Sequence, residues 1–156
     1  MVSRPRPRVF LDTNVLFSGL HTPGGNPHRI LEAATVGGIQ AVVSTGVLVE
    51  LVRNMKRKVP SRLADLERFL TSTPLEVVPE PPAHDTEPWL QVGLGTDAPI
   101  VAAAVLAEVD YLCTGDRRLL DNSSLVERAG LRVVAPGELM GAVGGPAGPS
   151  GGRFPN

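Results

Sequence analysis

Arg8-Val9-Phe10-Leu11-Asp12-Thr13-Asn14-Val15 is the stretch whose reading decides the fold. Its apolar run has the length of a strand, Arg8 to Leu11, and it stops on an acid. Asp12-Thr13-Asn14 then turns the chain into Val15-Leu16-Phe17-Ser18-Gly19-Leu20, a short helix. A strand that feeds a helix directly opens an alternating α/β chain.

The same alternation continues outward. Thr22-Pro23-Gly24-Gly25 is a loop, and Asn26 with Pro27 has the residue types of an N-cap and a first-turn proline, starting a helix to about Val36 that Gly37-Gly38 stops. Ile39 to Val43 is a second strand, and Ser44 caps a helix to about Lys58, ahead of Pro60. Ser61 caps a further helix through Leu70, with Leu63, Leu66, Phe69 and Leu70 on its apolar face. Leu75 to Val78, between Pro74 and Pro79, is a short strand. Pro79 to Thr96 is a loop or irregular helix that Trp89 and Leu90 pack against the core. Asp97 caps a helix with Pro99 in its first turn, running to about Ala107, whose Ala, Val, Ile and Leu content predicts close packing on a sheet. Asp110 to Thr114 is a strand, Arg117 to Leu120 a short helix, Ser124 to Ala129 and Leu131 to Val134 a last helix and strand, and Pro136 to about Met140 a terminal helix. The pattern predicts an α/β protein, a three-layer α/β/α domain around a mostly parallel sheet. It covers residues 8–140, between a flexible basic arm at 1–7 and a disordered Gly/Pro-rich tail at 141–156.

At 156 residues the chain suits one domain with one core. A formal charge of −1 gives no global attraction for nucleic acid, so any such partner must be met by a local basic face. The single cysteine, Cys113, lies in an apolar run, cannot form an internal disulfide and reads as a buried small hydrophobe. No run of about 18 apolar residues occurs, and Arg4, Arg6 and Arg8 precede no hydrophobic signal core, which points to the cytoplasm and away from any membrane.

Four carboxylates stand at the joints of the alternation. Asp12 follows the first strand, Glu50 lies inside Val47-Leu48-Val49-Glu50-Leu51, Asp97 precedes the apolar helix, and Asp116 ends Asp110-Tyr111-Leu112-Cys113-Thr114-Gly115-Asp116. Acids in these places converge on a sheet's carboxyl edge, where oxygen ligands hold a hard divalent cation. Such a cation relieves the repulsion among the carboxylates and acidifies its water, the chemistry of phosphodiester hydrolysis. Each acid also has a structural reading. Asp12, Asp97 and Asp116 can cap helices, and Glu50 can be a solvated helix residue, although its apolar neighbours argue against simple exposure. Asp110 reads as a strand-start residue and Asp121 as solvated, while His21, His28 and His84 have neither zinc spacing nor a nucleophile beside them.

Taken in order, Val-Phe-Leu-Asp12-Thr13-Asn14-Val, Ser44-Thr45-Gly-Val-Leu-Val-Glu50-Leu, Asp97-Ala-Pro-Ile-Val-Ala-Ala-Ala and Asp110-Tyr-Leu-Cys-Thr114-Gly115-Asp116-Arg-Arg-Leu-Leu resemble the PIN domain, and within it the ribonuclease toxins of the VapC-like type, over about residues 8–140. The resemblance implies Mg²⁺- or Mn²⁺-dependent cleavage of RNA by a homodimer, the toxin of a toxin-antitoxin pair inhibited by a small antitoxin. It makes Asp12 the central metal ligand, with Glu50, Asp97 and Asp116 completing the catalytic set. Asp116 is the position where direct metal contact varies. Asn14 and Thr114 match the small polar residues that orient a carboxylate, a metal-bound water or a phosphate.

Arg53, Lys56, Arg57, Lys58 and Arg62 follow Glu50, and Arg117 and Arg118 flank Asp116, positions from which they would hold RNA phosphates. An ordinary solvated helix face explains any one of them alone, since Asp65 and Glu67 follow. The segments around Leu16 to Ile30 and Leu63 to Leu70 are apolar enough to supply a dimer interface. Two other classes fit part of the pattern. A haloacid-dehalogenase-like phosphatase also has an acid after its first strand, but expects a second Asp where this chain has Asn14. A non-catalytic RNA-binding or protein-interaction module of the same fold needs only the basic surface, and the four intact acids weigh against it. Gly24-Gly25 and Gly37-Gly38 carry neither a Walker lysine nor a dinucleotide fingerprint.

Overall fold

In the computed structural model, which describes residues 6–144, strands β1 (Arg8–Leu11), β2 (Gln40–Ser44), β3 (Leu75–Val78), β4 (Tyr111–Cys113) and β5 (Arg132–Val134) form one sheet in the order β3-β2-β1-β4-β5. All its pairings are parallel. The central strands are unbroken apolar runs, with Val9, Phe10, Leu11, Ala41, Val42, Val43, Leu112 and Cys113 fully buried. That is the composition of strands covered on both faces, where alternation would put polar groups into a core. The helices are α1 (Thr13–His21), α2 (Asn26–Val36), α3 (Thr45–Lys58), α4 (Leu63–Ser72), α5 (Ala83–Gln91), α6 (Ala98–Leu106), α7 (Arg117–Asp121), α8 (Ser123–Glu127) and α9 (Pro136–Gly144). With the sheet they complete the three-layer α/β/α domain read from the sequence.

β1 lies between β2 and β4. The chain leaves β1 toward β2 and β3 on one side and returns to β4 and β5 on the other, so the turns after β1 and β4 diverge at the carboxyl edge. Such a reversal of strand order opens a crevice outside the strand ends. Two backbone bonds carry the ladder to its rim, from Asp12 N–H to the Cys113 carbonyl at 3.1 Å and from Thr114 N–H to the Val134 carbonyl at 3.0 Å.

Local chemistry explains most element boundaries. Ser44 caps α3, its Oγ accepting from the Val47 N–H at 3.1 Å, an interaction worth about 1 kcal/mol. Gly37 ends α2 in the left-handed conformation, φ 89°, which a glycine adopts without cost. Several boundaries differ from the sequence reading. Gly25, not Asn26, stands at the N-cap of α2, and a 3₁₀ turn over Pro60–Arg62 leads into α4, so Ser61 is no cap. Pro79 to Thr96 contains the regular helix α5, because Pro81 and Pro82 precede it and only Pro88 interrupts it. Trp89 packs against the core as expected, whereas Leu90 faces solvent.

Arg8 opens β1, as read from the sequence. It pairs with Glu76 at 2.7 Å and donates to the Ala107 carbonyl at 2.6 Å, while its backbone N–H donates to Asp110. Asp110 is thus the strand-start residue anticipated. Arg6 donates to Gln40 at 2.8 Å and the Pro7 carbonyl accepts from the Gln40 N–H at 2.9 Å, so these two residues of the expected arm are tied to β2; residues 1–5 lie outside the described residues. The terminal helix passes Met140 and runs to Gly144, four residues into the expected tail, whose remainder, 145–156, also lies outside the described residues. Leu16 and Ile30 are fully buried and serve the core, while Phe17 and Leu20 between them are only partly buried. Leu70 on α4 is 37% exposed.

Helices α1 and α2 meet at Gly19, where a Cβ would stand 2.6 Å from Leu31 Cδ1 and 2.9 Å from the Pro27 carbonyl oxygen. Gly19→Ala gains helix propensity but forces this contact apart. The expected net loss is about 1–3 kcal/mol, seen as a lower urea midpoint at unchanged slope.

Candidate functional site

Asp12 ends β1, caps α1 and is 6% exposed. Its carboxylate is held from three directions: the Thr13 N–H donates to Oδ1 at 2.7 Å, and the Thr114 hydroxyl and the Asn14 amide donate to Oδ2 at 2.8 and 3.2 Å. Thr114 also accepts from the Asp116 N–H at 3.0 Å, and Asn14 accepts from the Gly115 N–H at 2.8 Å. These two residues therefore tie the turn after β1 to the turn after β4. Asn14 uses both its donor and its acceptor, which a second aspartate could not do.

The other acids surround this fixed centre. Glu50 reaches it from α3, its Oε1 3.4 Å from the Thr13 hydroxyl. It is exposed, contrary to the expectation drawn from its apolar neighbours, because Leu48, Leu51 and Val52 turn inward on the other side of the helix. Asp116 caps α7, accepting from the Arg118 N–H at 2.8 Å. Asp97 ends a 3₁₀ turn over Gly95–Asp97 ahead of α6 and is 7% exposed, and its side chain makes no capping bond. Its Oδ2 is a buried oxygen with no hydrogen-bond partner among the described residues.

Burial and mutual charge tell on these groups. Burial raises the pKa of Asp12 above its ordinary value, with the charges of Asp116 and Glu50 adding to the rise against the lowering effect of its hydrogen bonds. Burial, then the charge and close approach of the Asp116 carboxyl, then the charge of Asp12, raise Asp97 to about 6, with Arg118 opposing. The four acids thus share one electrostatic field. Among the described residues no three His, Cys, Asp or Glu side chains are drawn together tightly enough to form a ready cation cage. The donor set itself, all oxygen, with one buried oxygen unpartnered, fits a hard divalent cation.

A PIN domain family model matches residues 8–118. The chain belongs to the PIN domain family. Its fold is also that of a chain in the crystal structure of VapBC2 from Rickettsia felis bound to a DNA fragment from their promoter. The two are 20% identical, with a TM-score of 0.59 over 82% of this chain and 98% of that one. No curated protein matches the chain. Family membership sets aside the dehalogenase-like reading.

Not every cation expected near this PIN site is available. Arg53, Lys56, Arg57 and Lys58 on α3 are exposed and form no ion pair among the described residues. Arg117 instead pairs with Asp121 at 3.3 Å, and Arg62 with Asp65 at 3.3 Å. Arg118 lies back toward the Leu94 carbonyl at 3.5 Å, on the Asp97 side of the crevice. Two contributors escaped the sequence reading: Thr13, whose N–H and hydroxyl touch both Asp12 and Glu50, and Gly95, whose φ of 56° lets the chain pass Arg118. The Asp-Thr-Asn run held the first signal; nothing local marked the second. His28 bonds to Glu32, and His84 lies beside Asp85. A groove of about 440 Å³ between α1, α2 and α4, floored by Leu20, Leu31 and Phe69, contains none of the four acids. Among the described residues no helix is long and apolar enough to cross a membrane.

A carboxyl whose folded-state pKa lies above its unfolded value favours the fold only while it is protonated. Without metal, the stability contributed at Asp97 therefore falls as pH rises from about 3.8 to about 6. Asp97→Asn is expected to flatten that fall and to raise Tm at pH 7, by about 2–4 °C for each kcal/mol of repulsion removed. Thermal melts in EDTA across this range check both effects.

Proposed function

We propose that the chain is a metal-dependent endoribonuclease, using Mg²⁺ or Mn²⁺, and that it is the toxin of a toxin-antitoxin pair. The observation that carries this reading is the unpartnered buried oxygen of Asp97, lying in the field of Asp12 and Asp116 at the point where the strand order reverses. Asp12, Glu50, Asp97 and Asp116 are the residues that would hold the cation. When bound, it would acidify a water and offset charge on the phosphate and leaving oxygen.

The chain's own residues supply the rest. Thr13, Asn14 and Thr114 fix the direction of the Asp12 carboxylate, so its orientation costs nothing at the moment of reaction. Glu50, open to solvent, and Asp97, with its raised pKa, are the two groups able to take a proton from water. Arg53, Lys56, Arg57 and Lys58 hold backbone phosphates beside the acids, with Arg117 and Arg118 less free to do so.

The likeness in fold to a chain of the VapBC2 structure supports a small antitoxin as partner, and a homodimer in the cytoplasm completes the reading. Size-exclusion mass would measure the dimer. The activity is tested on a mixed pool of structured RNA with Mg²⁺, Mn²⁺ or EDTA, beside Asp12→Asn. Cuts that need the metal and vanish in the variant are the expected result, and Thr114→Val is expected to retain about a tenth to a hundredth of the rate. Folded protein that cuts nothing under either metal would overturn the nuclease reading in favour of a non-catalytic RNA-binding or protein-interaction module.

A further inference from the structure

The face shared by α1 and α3 has features that the acids do not use. Thr13, Phe17 and His21 stand at i, i+4 and i+8 of α1, one stripe of that helix, and Glu50, Arg53 and Arg57 stand at i, i+3 and i+7 of α3. The helices are joined at the acid end by the Thr13–Glu50 contact and farther along by Lys58, whose Nζ lies 5.6 Å from the centre of the Phe17 ring. Phe17 is half-buried and braced by the core, and His21 leans on it with ring centres 5.6 Å apart at 41°. His21 and Lys58 are exposed, and His21 makes no hydrogen bond among the described residues. A braced aromatic ring between an exposed imidazole and an exposed ammonium is more than packing between helices requires.

We propose that this face binds an unpaired base of single-stranded RNA against Phe17 and His21, the exposed Lys58 side chain swinging off the Phe17 ring to meet an adjoining phosphate beside Arg57. This rests on the ribonuclease reading and specifies where its substrate lies. By helix rise, Phe17 is about 6 Å and His21 about 12 Å from Thr13 along the axis. A stacked strand advances about 3.4 Å per nucleotide. A phosphate at the acids therefore puts a base within about four nucleotides of it over the Phe17–His21 pair. The ring faces of bases are open in single strands and closed in duplexes, which sets the preference.

The test uses the full chain and a single-stranded RNA 12-mer carrying 2-aminopurine at each position in turn, in EDTA so that nothing is cut. The expected result is quenching confined to one or two positions, lost in Phe17→Leu and in His21→Ala, with affinity falling about 5- to 150-fold in Phe17→Leu and unchanged for the matching duplex. Phe17→Leu keeps an apolar side chain under the core. If it fails to fold, His21→Ala, on an exposed ring, carries the same readout. Unchanged quenching and affinity in a folded variant would overturn the proposal, as would failure of the wild-type chain to bind the 12-mer. Wild-type protein that binds with localised quenching but cuts no RNA would sink the nuclease reading and leave the base site standing. Protein that cuts RNA while Phe17→Leu binds it equally well would do the reverse.

Discussion

The carboxylate of Asp12 sets the terms for its surroundings. A buried anion is tolerated only when donors replace its lost water, and here the replacements come from three places: the first N–H of α1, the amide of Asn14 and the hydroxyl of Thr114. Thr114 lies 102 residues away in sequence, so satisfying this one group requires β1 and β4 to be neighbours in the sheet. The polar chemistry at the rim and the apolar pairing beneath it impose the same register. Neither the turn after β1 nor the turn after β4 would keep its shape without the other.

That agreement between levels is why so much of the fold was legible. Parallel central strands carry no alternation and announce themselves as short apolar runs, and β1 and β2 each end at a polar residue, Asp12 and Ser44, that caps the next helix. Ser44 was readable as a cap because its hydroxyl acts locally, on an N–H three residues on. The boundaries that were misjudged are those where tertiary packing decides. Prolines spread over residues 79–96 looked like breakers, yet packing of α5 against α6 sustains a helix through Pro88. Arg8, by contrast, was placed correctly as the first residue of the first strand, and its long-range partners, Glu76 and the end of α6, hold it there.

At the candidate site, residue identities were legible and their states were not. Asp12, Asn14, Thr114 and Asp116 could be grouped from their places after strands. Whether Asp97 caps a helix depends on a 3₁₀ turn that withdraws its carboxylate from the helix start, and whether Glu50 is exposed depends on which side of α3 meets the core. The basic residues divide on the same ground: those on α3 form no ion pair among the described residues, while Arg117 and Arg62 are drawn into ion pairs with aspartates three or four positions on. A charge pattern in sequence counts cations; the partners each one finds decide which of them remain available to a phosphate.

The acidic site works against the stability of its own domain. Desolvation and mutual repulsion raise both Asp12 and Asp97, so near neutral pH the metal-free fold carries ionised groups it would rather protonate, and Asp97 holds a buried oxygen with nothing to bond. Natural proteins keep such arrangements where a ligand offsets them. The parallel sheet is what makes the arrangement affordable: the strain is confined to the turns at one edge, while the apolar strands and the Ala-rich helix α6 beneath supply cohesion that involves no polar group. Because the turns after β1 and β4 are locked to each other through Thr114 and Asn14, repulsion among the acids cannot relax by spreading those two turns. The route left within the chain is protonation, set by pH; under the proposed function a divalent cation would supply the alternative, a counter-charge.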